Sequence, residues 1–271
     1  MLPACEHIQL VLEQGILHLT LNRPKQRNAI SKQMVAEVTE VLTIVATKPE
    51  VRAIFVRGSG GHFCAGGDLK EASKSRAEKW SPGERDPIAV LNRQFGKLCS
   101  LMNQCPKAVV AIVEGTAMGG GFGLVCVADI VVAKSDASFR LPETGLGLIP
   151  AQITPFLVQR LGLPTARRLA LTGARLNGQE GKREGLVDIV VNGEEELEEQ
   201  LSQLRQKILR CAPQASVATK ELLLAVGTEP VSELLDRGAD LFAEAARSAE
   251  GMEGIMAFLG KRKPKWCGEQ S

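Results

Sequence analysis

The chain has 271 residues, 44% of them hydrophobic, and its 33 lysines and arginines nearly balance 31 aspartates and glutamates. That composition supports one sizeable core with a smaller lobe, and a net charge of +2 lacks the basic excess of a nucleic-acid binder. No apolar run reaches the ~20 residues of a membrane-spanning helix, so neither nucleic acid nor membrane is an expected partner.

In chain order, Ile8–Leu12 and Ile16–Leu21 flank Glu13-Gln14-Gly15 and read as a hairpin. Ser31 is an N-cap candidate for a helix through Met34, Val38 and Leu42. Ala53–Val56 reads as a buried strand, followed by the turn Gly58-Ser59-Gly60-Gly61. The polar stretch from Lys70 to Arg85 has the composition of a mobile segment, and helical periodicity resumes from Ile88 to Leu101. Ala108–Val113 is a continuous apolar run between Pro106 and Gly115, the pattern of a strand buried on both faces. Gly119-Gly120-Gly121 opens another helix, and Asp129–Ala133, Ser138–Leu141 and Leu186–Val191 read as strands. Alternating strands and helices define an α/β core over residues 1–193. From Glu194 the periodicity is purely helical (Leu197–Leu209, Ala215–Ala225, Val231–Ala249), so 194–271 is expected to form a C-terminal helical region.

Two glycine-rich segments follow predicted buried strands: His62 to Leu69, containing Ala65-Gly66-Gly67-Asp68, and Glu114 to Gly123, containing the triplet Gly119-Gly120-Gly121. Without a Cβ, such a backbone brings its N–H groups close to a ligand. In the second segment those groups also lie at a helix N-terminus, where the dipole favours negative charge. Two converging donors suit the oxygen of a thioester enolate. For either cluster alone, tight turns and close packing are an equally good reading. Neither a dinucleotide-binding nor a P-loop glycine pattern is present in its required setting.

Taken together, Phe63-Cys64-Ala65-Gly66-Gly67-Asp68-Leu69, Gly119-Gly120-Gly121, and Leu141-Pro142-Glu143 with Gly147 and Pro150 resemble the enoyl-CoA hydratase/isomerase (crotonase) superfamily. The likeness runs from Asn22-Arg23-Pro24 and Asn28-Ala29 to the tail Met256–Pro264, essentially the whole chain. It implies a crotonase-like spiral of ββα units with a C-terminal helical trimerisation region, hence a homotrimer or dimer of trimers. It also implies an acyl-CoA substrate in an extended groove, with no cofactor, because coenzyme A belongs to the substrate. Carried over by residue, the oxyanion-hole N–H groups belong to Gly67 and Gly120. Ala65 lies beside the adenine, with Gly66, Asp68 and Leu69 in the same binding segment. Phe258 and Lys261 approach the coenzyme A site, which would give the basic cluster Lys261, Arg262, Lys263 and Lys265 phosphates to meet. Read from charge alone, that cluster is equally a solvated tail.

Hydratases of the superfamily carry two glutamates. Glu143 matches the second; Gly123 stands where the first is expected. Hydration divides naturally between two carboxyl groups, whereas a 2,3/3,2-enoyl-CoA isomerase needs one base to lift a proton and return it. The wider wording around Met118–Leu124, Phe139–Thr144 and Ile149-Pro150-Ala151-Gln152-Ile153 is similar to hydratases of branched glutaconyl-CoA esters, such as isohexenylglutaconyl-CoA hydratases. On that reading Gly123 leaves room for the branch, while Gln152 or Arg140 binds water or the substrate's own carboxylate. Arg140 is equally readable as a surface ion-pair residue. The expected function is thus an enoyl-CoA hydratase. An isomerase or a non-catalytic acyl-CoA-binding protein is the alternative.

Seven cysteines (Cys5, Cys64, Cys99, Cys105, Cys126, Cys211, Cys267) form no CxxC pair and sit near no histidine set. This spacing speaks against a zinc site and a disulfide framework, and suits a reducing, cytoplasmic compartment. Met1–Leu10 contains Glu6 and His7 and no long apolar stretch, so no signal peptide is read. A covalent mechanism would need Cys64 or Cys126 activated by a base. His7 and His18 belong to the hairpin, His62 precedes the first glycine segment, and Asp129 is expected to be structural.

Overall fold

The computed structural model describes residues 2–68, 70–71, 73–74, 79–81 and 83–267. The chain divides into two compact units, Met1–Glu198 and Glu199–Ser271. The expected boundary at 193/194 coincides with the start of the helix Glu194–Arg210 that runs through this division.

In the first unit, β1 (Ile8–Glu13) and β2 (Ile16–Leu21) pair antiparallel as the expected hairpin. Gln14 and Gly15 turn the chain with φ of 47° and 82°, the mirror-image turn that suits strand twist. β3 (Ala53–Gly58), β4 (Ala108–Val113), β6 (Ile130–Lys134) and β9 (Ile189–Val191) then add in parallel, giving a six-stranded sheet in the order β1-β2-β3-β4-β6-β9. A second sheet joins three short strands in the order β5 (Thr116–Met118), β7 (Ser138–Arg140), β8 (Arg175–Asn177). The two sheets explain the spiral. β4 enters the large sheet, β5 the small one, and the helix Gly120–Cys126 follows. β6, β7 and the helix Thr154–Thr172 repeat that order. β3 begins it as well, because Cys64 bridges Ala117 of β5 as a one-residue strand before the next helix.

Helices cover the sheets with apolar stripes. α1 (Lys32–Ala46) starts where Ser31 Oγ accepts from Met34 N at 3.1 Å, and it buries Met34, Val38, Val41, Leu42 and Val45. α2 (Pro87–Asn103) is capped by Asp86 and begins with proline at a position that has no N–H partner to lose. α3 is the short helix Gly120–Cys126. α4 (Thr154–Thr172) bends at Gly162, where φ is 70° and Pro164 interrupts the ladder. α5 (Gly178–Arg183) begins with a capping box between Asn177 and Glu180. The helix over 154–172 has no counterpart among the elements expected from sequence.

The second unit is helical, with α6 (Glu194–Arg210) leading into α7 (Pro213–Ala225), α8 (Val231–Arg247) and α9 (Ala249–Leu259). The helix expected over Val231–Ala249 ends at Arg247 because Ser248 is extended and caps α9. Glu250 accepts from the first amides of α7, and Trp266 donates its indole N–H to Arg210 O. Among the described residues no helix is long and apolar enough to cross a membrane.

Candidate active site

The two glycine segments meet. Cys64 N donates to Thr116 O and Met118 N to Cys64 O, both at 2.9 Å, so the first segment is stitched as a strand beside β5. The contact depends on missing side chains. A methyl group on Gly121 would stand 2.6 Å from Cys64 O, and one on Gly66, whose φ is 98°, would stand 3.1 Å from Met118 O. The segment's other amides are occupied: Ala65 N donates to Arg27 O, Gly66 N to Cys64 Sγ, and Asp68 N to Ile30 O. Among the described residues, the exposed Gly67 shows no acceptor for its N–H. Gly120 is the first residue of α3, where no preceding turn supplies a carbonyl. Both expected oxyanion donors therefore open on the same cavity.

Glu143 faces them. It begins a single 3₁₀ turn, Glu143–Leu146, fixed by Leu148 N donating to Glu143 O and by Thr144 Oγ1 donating to Ala170 O. Gly119 makes space for its carboxyl, since a methyl there would lie 2.9 Å from Oε1. Burial pushes the Glu143 carboxyl above the usual glutamate range, and its buried Oε2 has no hydrogen-bond partner. A half-buried acid with one unspent oxygen beside two free N–H groups is arranged for proton transfer at a carbon next to a polarised carbonyl.

The cavity holds about 600 Å³. Ala65, Gly66, Gly67, Gly119, Gly120 and Glu143 line one part of it; Phe95, Leu146, Leu148, Ile149, Gln152 and Ile153 line another. Asp68 is on the lining, but its carboxylate is already engaged. Arg23 Nη2 holds it at 2.8 Å and the amides of Lys70 and Glu71 also donate to it. Burial opposes its charge, yet these donors keep its carboxyl below the usual range. Leu69 lies outside the described residues, as does part of the expected mobile stretch from Lys70 to Arg85.

Two expectations need correction. Gly123 does not leave room for a substrate branch: it is buried off the cavity, and a Cβ there would collide with Ile153 Cγ2. Arg140 does not line the cavity; its Nε donates to Gly173 O at 2.9 Å, tying the end of β7 to the end of α4. Gln152 does line it, packed over Gly96 of α2, where the absence of a side chain admits its Oε1. Phe258 and Lys261 belong to the second unit. Phe258 is 83% exposed at the end of α9 and Lys261 follows in a left-handed turn.

The remaining candidates resolve physically. Burial pushes the Cys64 thiol up to about 12 and raises that of Cys126 as well, so neither supplies a thiolate. Asp129 accepts from Val109 N at 2.7 Å and serves the sheet. His18 stacks edge-on against Phe55, and His7 Nδ1 lies 2.6 Å from Ser31 Oγ. His62 Nδ1 is buried without a partner, away from the cavity lining. Phe95 and Ile153 were missed as site residues, because an apolar side chain on a cavity wall reads in sequence like any core residue.

The enoyl-CoA hydratase/isomerase family model matches residues 12–269. The mevalonyl-coenzyme A hydratase sidH of Aspergillus fumigatus is 36% identical over 93% of this chain and 91% of its own length. The 2,3-dehydroadipyl-CoA hydratase of Escherichia coli (strain K12) is 33% identical over 94% and 96%. The crystal structure of an enoyl-CoA hydratase/isomerase from Marinobacter aquaeolei shares 48% identity and superposes with a TM-score of 0.95, covering 97% of this chain and 100% of that one. The chain belongs to the enoyl-CoA hydratase/isomerase family, has the crotonase fold, and is an enzyme.

Proposed function

We propose that the protein is an enoyl-CoA hydratase that adds water across the 2,3 double bond of a branched, glutaconyl-type acyl-CoA thioester. The observation that carries this reading is the unpartnered, half-buried carboxyl of Glu143 on the same cavity as the free N–H groups of Gly67 and Gly120. Glu143 takes a proton from water as the water oxygen bonds to carbon 3. The π electrons move toward the thioester oxygen, where Gly67 and Gly120 N–H hold the enolate. The same carboxyl then returns its proton to carbon 2. Losing one such donor typically costs on the order of 3 kcal/mol in the transition state. One acid thus serves both transfers, and its raised proton affinity favours the first of them, the removal of the proton from water.

The apolar wall of Phe95, Ile149 and Ile153 supports a bulky β substituent, and the Gln152 amide on that wall supports a second polar group such as a carboxylate. Relatives named for mevalonyl-CoA and 2,3-dehydroadipyl-CoA support acyl groups other than a simple chain. No cofactor is needed beyond the coenzyme A of the substrate. A homotrimer, or a dimer of trimers, in the cytoplasm completes the reading. It is supported by the exposed Val231, Leu235 and Phe242 on α8.

A 2,3/3,2-enoyl-CoA isomerase is favoured by one observation, the glycine at position 123 with its space closed by Ile153. Chromatographic product analysis after incubation with crotonyl-CoA, a 3-enoyl-CoA and a branched glutaconyl-CoA distinguishes them. A hydroxyacyl-CoA product, fastest from the branched acid, is the expected result. A shifted double bond without water uptake makes the enzyme an isomerase, and no turnover with retained thioester binding leaves it an acyl-CoA-binding protein.

A further inference from the structure

Asn28 is fully buried, lies off the lining of the cavity that Glu143 borders, and has a left-handed backbone with φ of 57°, directly after Arg27 at 47°. Asparagine tolerates that conformation better than most residues. Its Oδ1 accepts from Arg23 N at 2.9 Å, while its Nδ2 donates to Ser59 O at 2.9 Å and to His62 O at 2.7 Å. Ser59 and His62 bracket the turn that leads from β3 into the first oxyanion segment. The rest of the 23–30 segment tracks the rest of the loop. Arg27 O receives Ala65 N, Ile30 N donates to Gly66 O at 2.7 Å, and Ile30 O receives Asp68 N. At the far end Arg23 closes on Asp68.

Gly67 therefore hangs between bonds made by one template, and the Asn28 amide fixes where that loop begins. A loop free to shift at His62 would carry Gly67 N–H away from the point it shares with Gly120 N–H. Displacements of that size matter because oxyanion donors act through preorganised geometry. We propose that Asn28 is a positioning residue for the oxyanion hole, setting the Gly67 donor through the backbone carbonyls of Ser59 and His62. The proposal rests on the enolate reading of this site.

Infrared difference spectra of unreactive butyryl-CoA, labelled with ¹³C at the thioester carbonyl, report polarisation by the hole. The wild type is expected to lower the carbonyl stretch relative to water. Asn28→Gly, which keeps the left-handed backbone unstrained, is expected to lose at least half of that shift. Its kcat on the preferred enoyl-CoA should fall about 10²-fold, with KM changed by less than about threefold. A full wild-type shift in Asn28→Gly overturns the proposal even if kcat falls, because the loss then lies elsewhere. Absence of the shift in the wild type overturns the enolate reading itself, and with it this inference. If Asn28→Gly does not fold, Asn28→Ser is read by the same two criteria. Failure of both to fold assigns the amide to fold stability alone and also overturns it.

Discussion

Gly119 to Gly121 and Gly123 lie within the same short stretch of α3, yet they face different neighbours. The triplet meets mixed neighbours: Gly119 lies against the Glu143 carboxyl, Gly120 against the Ile30 and Phe95 side chains, and Gly121 against the Cys64 carbonyl. The missing side chains of Gly119 and Gly121 admit an acid and the opposing backbone. Gly123 has Ile153 and the edge of Phe95 as its nearest neighbours, and its missing side chain is filled by the isoleucine. The start of the helix borders the cavity beside Glu143. At position 123, where the resemblance leads us to expect a second acid, the space is filled by hydrophobic packing. A protein interior packed this closely does not hold a vacancy for a lost group. On the proposed mechanism, the use of one acid rests on two residues, 123 and 153.

The largest expected effect tests the first part. Glu143→Gln should lower kcat roughly 10³-fold while leaving coenzyme A ester binding intact, measured by steady-state kinetics and thioester titration. The pH profile carries a second sign. Glu143 takes its proton more readily in the folded protein than in the unfolded chain. Activity that needs the carboxylate should therefore fall on the acid side at a pH above the ordinary glutamate range. For stability the sign reverses: burying the charged form costs the fold something once pH passes the unfolded value. Glu143→Gln should gain on the wild type between pH 4 and pH 7, by about 2 °C in Tm. A Tm difference independent of pH would show that the carboxyl is not strained by burial, and a kcat loss under tenfold would remove it as the proton carrier.

A medium effect tests the second part. Gly123→Glu alone should destabilise the protein by about 1–3 kcal/mol, because the new side chain meets Ile153 with nowhere to go. Adding Ile153→Ala should recover part of that loss, giving a coupling of about 1 kcal/mol in a double-mutant cycle. Only the double variant should gain rate on crotonyl-CoA. Purely additive stabilities would mean that 123 and 153 do not share one space.

Much of this was legible in sequence because its signals are local. The hairpin turn, the Ser31 cap, the buried β3 and β4 runs and both glycine segments each follow from a few adjacent residues. The oxyanion pair and Glu143 came from the resemblance to the enoyl-CoA hydratase/isomerase superfamily, which the glycine segments and Leu141-Pro142-Glu143 carry. What was missed depends on distant partners. β5 and β8 are three residues each and gain strand character only by pairing with β7. α4 interrupts its helical pattern at Gly162 and Pro164, which make a bend rather than an end. The ββα spiral was expected from the resemblance alone, because the contact of Cys64 with Ala117 that completes it is one no periodicity encodes. Gly123 looked like a vacancy because only a three-dimensional neighbour, Ile153, shows it to be filled. Arg140 reads in sequence as a carboxylate binder or a surface ion-pair residue because its partner, Gly173, is far along the chain.

The smallest expected effect falls on Gln152, where wall and substrate meet. Its side chain is held against Gly96 of α2 and it borders the same cavity as Glu143 without lying among the oxyanion donors. An amide there contributes a hydrogen bond to a polar substituent and little to a hydrocarbon chain. A typical hydrogen bond contributes about 0.5–1.5 kcal/mol net, so Gln152→Ala should lower kcat/KM for a branched glutaconyl-CoA about fivefold more than for crotonyl-CoA. Because the alanine removes no donor to the enolate oxygen, kcat on crotonyl-CoA should stay within about twofold of the wild type. Equal loss on the two esters would make Gln152 a packing residue and leave recognition of the acid to another part of the cavity. A larger loss on crotonyl-CoA would give it the water instead, and the apolar wall would then contain the polar group that the missing glutamate no longer supplies.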